Sequence, residues 1–423
     1  MKEFVENKER TVIRLSSGIS RTVEDYNNVG NDNVLVIGAE NTGKFESFVL
    51  PNIALGDKSY VVVDKMGLMN KHLPSCLKDY NIRTLNLIDP RHSMNYDPFK
   101  YMDINESVDA ETFLEHNKSL LECIAAINPD RTISDAIDMS VLKAKEAFLA
   151  ACFVYAMQNA DDKNKFRYLT DHSHAFNEYC RTTGAAESCF YEHPDSLEYT
   201  LYQIFKKEAD KAYDPSYGDK KDYYNSIIED CMKRLEPLGN HAFFLRGEDE
   251  MQIEKLGDEK TCIFVVYDEG QDYHDSHLIV SMFLSQVISK LIGTGIDRNK
   301  KGKNQKSEMP VQLVLDDFEC YNLNYSFANT LSDLRSFNIS ASIIIHDIDE
   351  LIRANRQQWV TIAGNCSNVL LMNSDKASAL TKQYLSERFD LPFSEWSKIS
   401  DPYCVIMQED QVPRTDIKIN RSS

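Results

Sequence analysis

The sequence predicts an α/β fold, a parallel sheet with a glycine-rich turn behind its first core strand, interrupted by a long helical segment. Three observations carry this. Short apolar runs of strand length alternate with helical segments toward both ends of the chain. A Gly-x4-Gly-Lys stretch follows the first of those runs directly. Between about residues 105 and 255 the β-like runs disappear, and apolar residues recur at helical spacing. At roughly 150 residues per domain, the 423 residues supply two or three units with ample core.

Residues 1–30 are polar and mixed, with Gly18, Gly30 and the Asn31 to Asn33 cluster reading as extended arms and turns. NVLVIG (33–38) and SYVVVD (59–64) are continuous apolar runs, the pattern of parallel strands buried on both faces. Between them KFESFVLPNIALG has room for two helical turns before Pro51 interrupts the pattern. A further strand, RTLNLID, runs to about Asp89. DMSVLKAKEAFLAACFVYAM typifies the helical stretch, and residues 161–224, rich in Asp, Lys, Tyr, His and Gly, imply connections within it. The sheet pattern returns with TCIFVVYD (261–268), an amphipathic helix over 275–292, then VQLVLDD (311–317), SASIIIH (340–346) and SNVLLMN (367–373). The expected division is an N-terminal arm (1–30), an α/β domain (31–104 with 256–423) and an all-α insertion (105–255).

Charge restricts partners. Lys and Arg total 47 against 66 Asp and Glu, a net charge of −19, so the averaged field repels DNA and anionic membrane. DNA contact requires a local basic patch, and the one positive run is Arg298 to Lys306, with five cations. It reads either as a phosphate-touching arm or as a solvated connection, and it contains no aromatic to stack bases. The ten cysteines include no Cys-x-x-Cys pair, as expected of reduced cytosolic thiols. His172 and His174 lie close together without the spacing of a metal site. Tyr199, Tyr202 and Phe205, with Tyr223 and Tyr224, resemble a binding stripe, but their helical spacing fits core. The start has no apolar leader segment, and no stretch approaches the ~18 apolar residues of a membrane helix, so a cytoplasmic chain without a transmembrane segment is expected.

Chemistry concentrates in two places. Gly38-Ala39-Glu40-Asn41-Thr42-Gly43-Lys44-Phe45 fits the first seven positions of the phosphate-binding loop Gly-x4-Gly-Lys-Ser/Thr. In such a loop the glycines let backbone N–H groups face phosphates, the following helix adds its dipole, and Lys44 would bridge the β and γ phosphates. Phe45 stands where a hydroxyl ordinarily holds Mg²⁺. The bland alternative is a turn with a solvated lysine. The second place is the strand ending in Asp316-Asp317. There Asp316 would contact the Mg²⁺ shell and Asp317 would orient water; equally, acidic residues cap many strand ends. Asp317 is one methylene shorter than the Glu usual in that role.

With their neighbours, these residues resemble the type IV secretion coupling proteins, the TraG-like conjugative DNA-transfer ATPases related to FtsK-like hexameric motors. The similarity runs from about Gly18 to Asn373 through NVLVIGAENTGKFESFVLPNI, SYVVVDKMG, TLNLIDPRHSMNYDPFKYM, GDEKTCIFVVYDE, LVLDDFECYN, LSDLRSFNISASIIIH and WVTIAGNCSNVLLM, in family order. It implies a RecA-like nucleotide-binding domain with an inserted all-α domain, ATP or ADP with Mg²⁺ as cofactors, and a possible homo-hexamer. It also implies a role in handing relaxase-bound DNA, or an effector protein, to the secretion channel. The family usually carries membrane helices before the position of Gly18, where this chain has only about seventeen polar residues; it is either a relative without them, peripheral at the inner face of the membrane and reaching the channel through partners, or the soluble portion of a longer protein.

The departures fall on catalytic positions. Besides Phe45 and Asp317, the family's Asp-Pro-Lys-Gly-Glu is here Asp64-Lys65-Met66-Gly67-Leu68, and the Gln that ends the next strand is His346. Arg335 survives where the family has an arginine that can face a nucleotide within the hexamer; otherwise it is a helix-surface arginine. Loss of one charge-stabilising element commonly costs ~10²–10³ in rate. The resemblance therefore implies nucleotide binding through Gly43 and Lys44 with weak or absent hydrolysis. Two rivals stay open: an active DNA-translocating motor in which Thr42 or water completes the Mg²⁺ shell, and a non-catalytic adaptor with a vestigial loop.

Overall fold

A computed structural model describes the chain apart from residues 1–11, 23–29, 103–107, 127–137, 161–164, 172–174, 182–185, 192, 241–247, 269–272, 322, 324–326, 356–357, 391, 397, 409–410 and 420–423. His172 and His174 thus lie outside the described residues. Strands β1 (Val12–Arg14) and β2 (Ser20–Thr22) pair as a small antiparallel hairpin around the Gly18 turn. The remaining strands are β3 (Val34–Ile37), β4 (Ser59–Lys65), β5 (Asn81–Asn86), β6 (Thr261–Tyr267), β7 (Val311–Leu315), β8 (Ile339–Ile345), β9 (Asn368–Leu371), β10 (Tyr403–Gln408) and β11 (Arg414–Ile417). They form one nine-stranded sheet in the order β11-β10-β9-β3-β8-β7-β4-β6-β5. Pairings from β9 to β5 are all parallel, and β10 and β11 close one edge antiparallel.

Alternation within the strands separates two cores. Leu35, Ile37, Val61, Val63, Leu313, Leu315, Ile343 and Ile345 belong to one, whereas Val34, Val36, Tyr60, Val62, Val314 and Ile344 belong to the other. Both faces are covered, so strand sequences read as unbroken apolar runs. The second face carries the β1–β2 hairpin and the segment after the glycine-rich loop, through Ile13, Phe48, Val49 and Ile53.

That segment is a π-helical turn, Phe45–Val49, running into helix α1 (Leu50–Ile53). Pro51 does not end it. Proline clashes with the carbonyl four residues back and donates no hydrogen bond. The wider turn, in which Leu50 N–H reaches Phe45 O, absorbs the proline at the start of α1. A short helix α2 (Leu68–His72) follows β4.

Between β5 and β6 the described residues contain helices and no strand. These include α3 (Lys118–Ala126), α4 (Met139–Asn159), α5 (Leu197–Ala212) and α6 (Lys220–Asn240). Helix α4 is the hub: Ala147 through Phe153 are all buried, and Phe148 meets Phe205 of α5 at 5.5 Å between ring centroids. Tyr202 stacks on Phe190 at 5.0 Å, so the aromatic stripe is core. Helix α7 (Tyr273–Lys300) joins this layer to the sheet and extends well past the expected 292. Its Ser276–Lys300 portion is long and apolar enough to cross a membrane, which corrects the expectation that no stretch approaches that length. Most of that stretch is buried inside the protein, because α7 packs against α3, β6 and the rest of the larger core.

Candidate functional site

The C-terminal ends of parallel strands converge on one edge of the sheet, the usual place for ligands in such folds. Here β8 lies between β3 and β7, so the residue after β8, His346, stands between the loop after β3 and the acidic pair after β7.

The loop is tightly built. Asn41 (φ 56°) and Gly43 (φ 83°) take left-handed conformations, the kind of turn from which backbone N–H groups can form an anion-binding concavity. At Gly38 a Cβ would lie 2.5 Å from Thr42 Oγ1 and 2.9 Å from Met372 Cβ, so only glycine fits there. Thr42 Oγ1 donates to Ala39 O at 2.8 Å, and Lys44 Nζ folds back to donate to Gly38 O at 2.5 Å. Burial lowers the pKa of Lys44, and Asp316, Asp317, Glu319 and Glu350 oppose that shift. Phe45 turns its half-buried ring onto the second core.

Across from the lysine, burial pushes the Asp316 carboxyl up to about 7, with Asp317 adding to the rise and Lys44 opposing it. Asp317 is 8% exposed with a left-handed backbone (φ 47°). Its Oδ2 pairs with Lys65 Nζ at 3.1 Å, and its Oδ1 lies 3.6 Å from His346 Nδ1. The same nitrogen lies 2.6 Å from Glu319 Oε1 and 3.4 Å from Glu350 Oε2. The Glu319 hydrogen bond holds the imidazole pKa above its ordinary value, against burial and Lys44. Burial works to raise the pKa of Glu319, but hydrogen bonds, led by that from His346, leave it lowered.

Of the residues singled out in the sequence, Gly38, Asn41, Thr42, Gly43, Lys44, Asp316, Asp317 and His346 gather at this edge. Asp64, at the end of the adjacent β4, is fully buried and accepts from Met69 N at 3.0 Å and Asn70 N at 2.6 Å, capping α2. Burial nonetheless raises its pKa to about 6. Arg335 lies at the opposite edge, ahead of β8, and hydrogen-bonds Gly30 O ahead of β3. The basic run also lies at that opposite edge, between the end of α7 and β7, with Arg298 ion-paired to Asp258.

Sequence reasoning missed Lys65, Glu319, Glu350 and Lys418. Glu319 had a local signal, a third carboxylate two residues beyond Asp317. Lys418 had none: it donates to Thr42 O across 376 residues of chain.

This donor set suits a phosphate, since the left-handed Asn41 and Gly43 turn the loop tightly and the half-buried Lys44 folds over it. It does not supply the loop hydroxyl for Mg²⁺, because position 45 carries a phenyl ring.

Among solved structures, the chain is similar to the bacterial conjugative coupling protein TrwBdeltaN70 in its unbound monoclinic form, with TM-score 0.61, 10% identity and coverage of 97% of this chain and 89% of that one. It is equally similar to the plasmid coupling protein TrwB in complex with ADP and Mg²⁺, with TM-score 0.61, 12% identity and coverage of 92% and 86%. VirB4 of Thermoanaerobacter pseudethanolicus matches with TM-score 0.50, 10% identity and coverage of 93% and 91%. At such identities the likeness establishes the fold, which is RecA-like. No curated protein matches the chain in sequence. The model of the family described as type IV secretory system conjugative DNA transfer matches residues 1–389, and with nearly the whole chain covered, the protein belongs to that family.

Proposed function

We propose that the chain acts as a coupling protein that binds ATP or ADP at the Gly38–Lys44 loop, hydrolyses it weakly or not at all, and recruits DNA or protein substrate to a type IV secretion channel. The observation that carries this reading is the contrast within one site. The phosphate cradle is intact, while the hydroxyl after Lys44 is replaced by Phe45 and Asp317 Oδ2 is engaged by Lys65. A carboxylate paired with a lysine is a poor orienter of water. TrwB in complex with ADP and Mg²⁺ supports nucleotide as the ligand class, and the family supports relaxase-bound DNA or an effector as cargo.

Within this reading, residues 105–255 form an all-α insertion that meets substrate, residues 31–104 and 256–423 form the nucleotide domain, and 1–30 form an arm. The protein works at the cytoplasmic face of the inner membrane, with a homo-hexamer as the assembly and Arg335 facing a neighbouring copy's nucleotide. The Arg298 to Lys306 run offers at most a weak phosphate contact.

Calorimetric titration of ATP and ADP, with and without Mg²⁺, into the protein and into Lys44→Ala tests the site. Expected is micromolar binding abolished by the substitution, with little dependence on Mg²⁺. No binding to the folded protein would refute retained nucleotide binding and leave the adaptor role. Lys44-dependent, DNA-stimulated ATP turnover would instead establish an active motor.

A further inference from the structure

We propose that Asp317, Glu319 and His346 bind a divalent first-row transition ion of the zinc kind, through two carboxylate oxygens and one imidazole nitrogen. One ligand atom from each residue lies within 4.8 Å of the others. Imidazole Nδ1 is 2.6 Å from Glu319 Oε1 and 3.6 Å from Asp317 Oδ1. Metal–ligand bonds of about 2.0–2.2 Å in tetrahedral geometry set ligand atoms about 3.4 Å apart. The Asp317 contact already matches, and the Glu319 contact needs to open by less than an ångström. Such an ion would take the place of the proton that His346 Nδ1 now shares with Glu319.

A second observation points to a missing ligand. The Glu319 side chain is only 8% exposed, yet its Oε2 is buried with no N–H or O–H donor among the described residues, and the side-chain contact Glu319 makes besides His346 is with another carboxyl group, Glu350. A buried carboxylate oxygen without a donor is costly, and a cation is the natural remedy. Four carboxyl groups, Asp316, Asp317, Glu319 and Glu350, gather here, with Lys44 and Lys65 near the first two and Arg353 on Glu350. Lys65 engages Asp317 Oδ2 and leaves Oδ1 toward the cluster. Glu350 Oε2, 3.4 Å from the imidazole, is within reach as a fourth ligand.

The imidazole sets the class of ion. Imidazole nitrogen suits zinc and its neighbours iron, nickel and copper, whereas Mn²⁺ and Mg²⁺ prefer oxygen, and Mg²⁺ retains its waters. The ligands come from the segments after β7 and β8 and none from the Gly38–Lys44 loop, so metal binding can be read in the absence of nucleotide although Asp317 and His346 also border the nucleotide site.

The test uses the full chain, stripped with chelator and free of nucleotide, titrated calorimetrically with Zn²⁺, Mn²⁺ and Mg²⁺. Expected is one equivalent of Zn²⁺ bound at micromolar or tighter dissociation constant, with Mg²⁺ at least a hundredfold weaker. Glu319→Gln, which keeps the side-chain shape, and His346→Ala should each weaken Zn²⁺ tenfold or more with unchanged circular dichroism. Lys44→Ala should leave Zn²⁺ binding intact even where it abolishes nucleotide binding. The Co²⁺-loaded protein should lack the intense thiolate charge-transfer band that its ten cysteines would produce as ligands. Absence of stoichiometric Zn²⁺, indifference to both cluster substitutions, Mg²⁺ bound as tightly as Zn²⁺, or a thiolate band would each overturn the proposal.

Discussion

Lys418 Nζ donates a 3.0 Å hydrogen bond to the carbonyl of Thr42, so the segment just beyond β11 holds the glycine-rich loop from behind. The lysine is 5% exposed and also engages Asn373 Oδ1 and Asp401. Its strand is in turn tied to the N-terminal hairpin, where Asp416 accepts from Gly18 N at 2.8 Å. The Gly18 turn and the segment around Lys418 are thus linked beside the loop.

Lys418→Met keeps the length of the side chain and removes its donors, leaving Thr42 O and Asn373 Oδ1 short of a partner. Stability should fall by about 2 kcal/mol, read from urea unfolding. If the brace keeps the loop ordered for phosphate, ATP affinity should fall roughly tenfold as that preorganisation is lost. Unchanged affinity would show that β3 and Gly38 alone hold the loop.

Phe45 is the departure that sets the expected Mg²⁺ behaviour. Phe45→Thr supplies a hydroxyl at the start of the π-helical turn, where an ion bridging phosphates would sit. Its half-buried ring contributes to the second core, so a stability loss of about 1–2 kcal/mol is expected. ATP affinity, expected to be nearly indifferent to Mg²⁺ in the natural protein, should rise at least fivefold on adding Mg²⁺ to the variant. Calorimetry in paired buffers checks this, and equal Mg²⁺ response in the two proteins would dismiss the ring as the cause.

Asp316 and His346 give stability a pH slope of one sign. The Asp316 carboxyl, raised by burial to about 7, holds a proton in the folded state that the unfolded chain releases near pH 4. Between those values the native state binds more protons, so stability falls as pH rises, by about 1.4 kcal/mol for each pKa unit. His346, raised chiefly by Glu319, stabilises fully below about pH 6.5 and loses that contribution as pH climbs through its folded value. Urea midpoints at pH 4.5, 6 and 8 should therefore decline steadily, and Asp316→Asn should flatten the lower part of that decline. A variant with the natural slope would place the proton elsewhere.

Much of this arrangement was legible because strands buried on both faces leave an unmistakable mark. VLVI, YVVV, CIFVV and SIII appear as runs, and the ends of parallel strands meet in space whatever the fold's details. Lys44, Asp316, Asp317 and His346 could therefore be named together. Strand β11, with the pattern RTDI and mostly exposed, carried no such mark, since an edge strand need not be apolar. Pro51 misled because a π-helical turn is too rare to anticipate. The pairings that decide the chemistry were hidden for another reason: Lys65 with Asp317, His346 with Glu319 and Lys418 with Thr42 are long-range contacts between side chains and distant strands. A run or a spacing records only neighbours along the chain.

Arg335 separates what one chain does from what an assembly does. It sits at the edge of the sheet opposite Lys44, hydrogen-bonded to the Gly30 carbonyl, too remote to touch a phosphate on its own loop. Arg335→Ala should cost on the order of 1 kcal/mol for the lost hydrogen bond and leave ATP affinity within twofold in dilute, monomeric protein. In a ring of copies, an arginine at a subunit edge acts on the neighbour's nucleotide, and its charge matters for the transition state more than for binding. Any ATP turnover that appears on assembly should then fall by about 10³ in the variant, with binding unaltered. The measurement is a pair: calorimetry at low concentration and turnover at a concentration where sedimentation shows oligomer. A severalfold loss of affinity in the monomer would contradict the far-edge placement, and equal turnover in the two oligomers would reduce Arg335 to the brace it forms with Gly30.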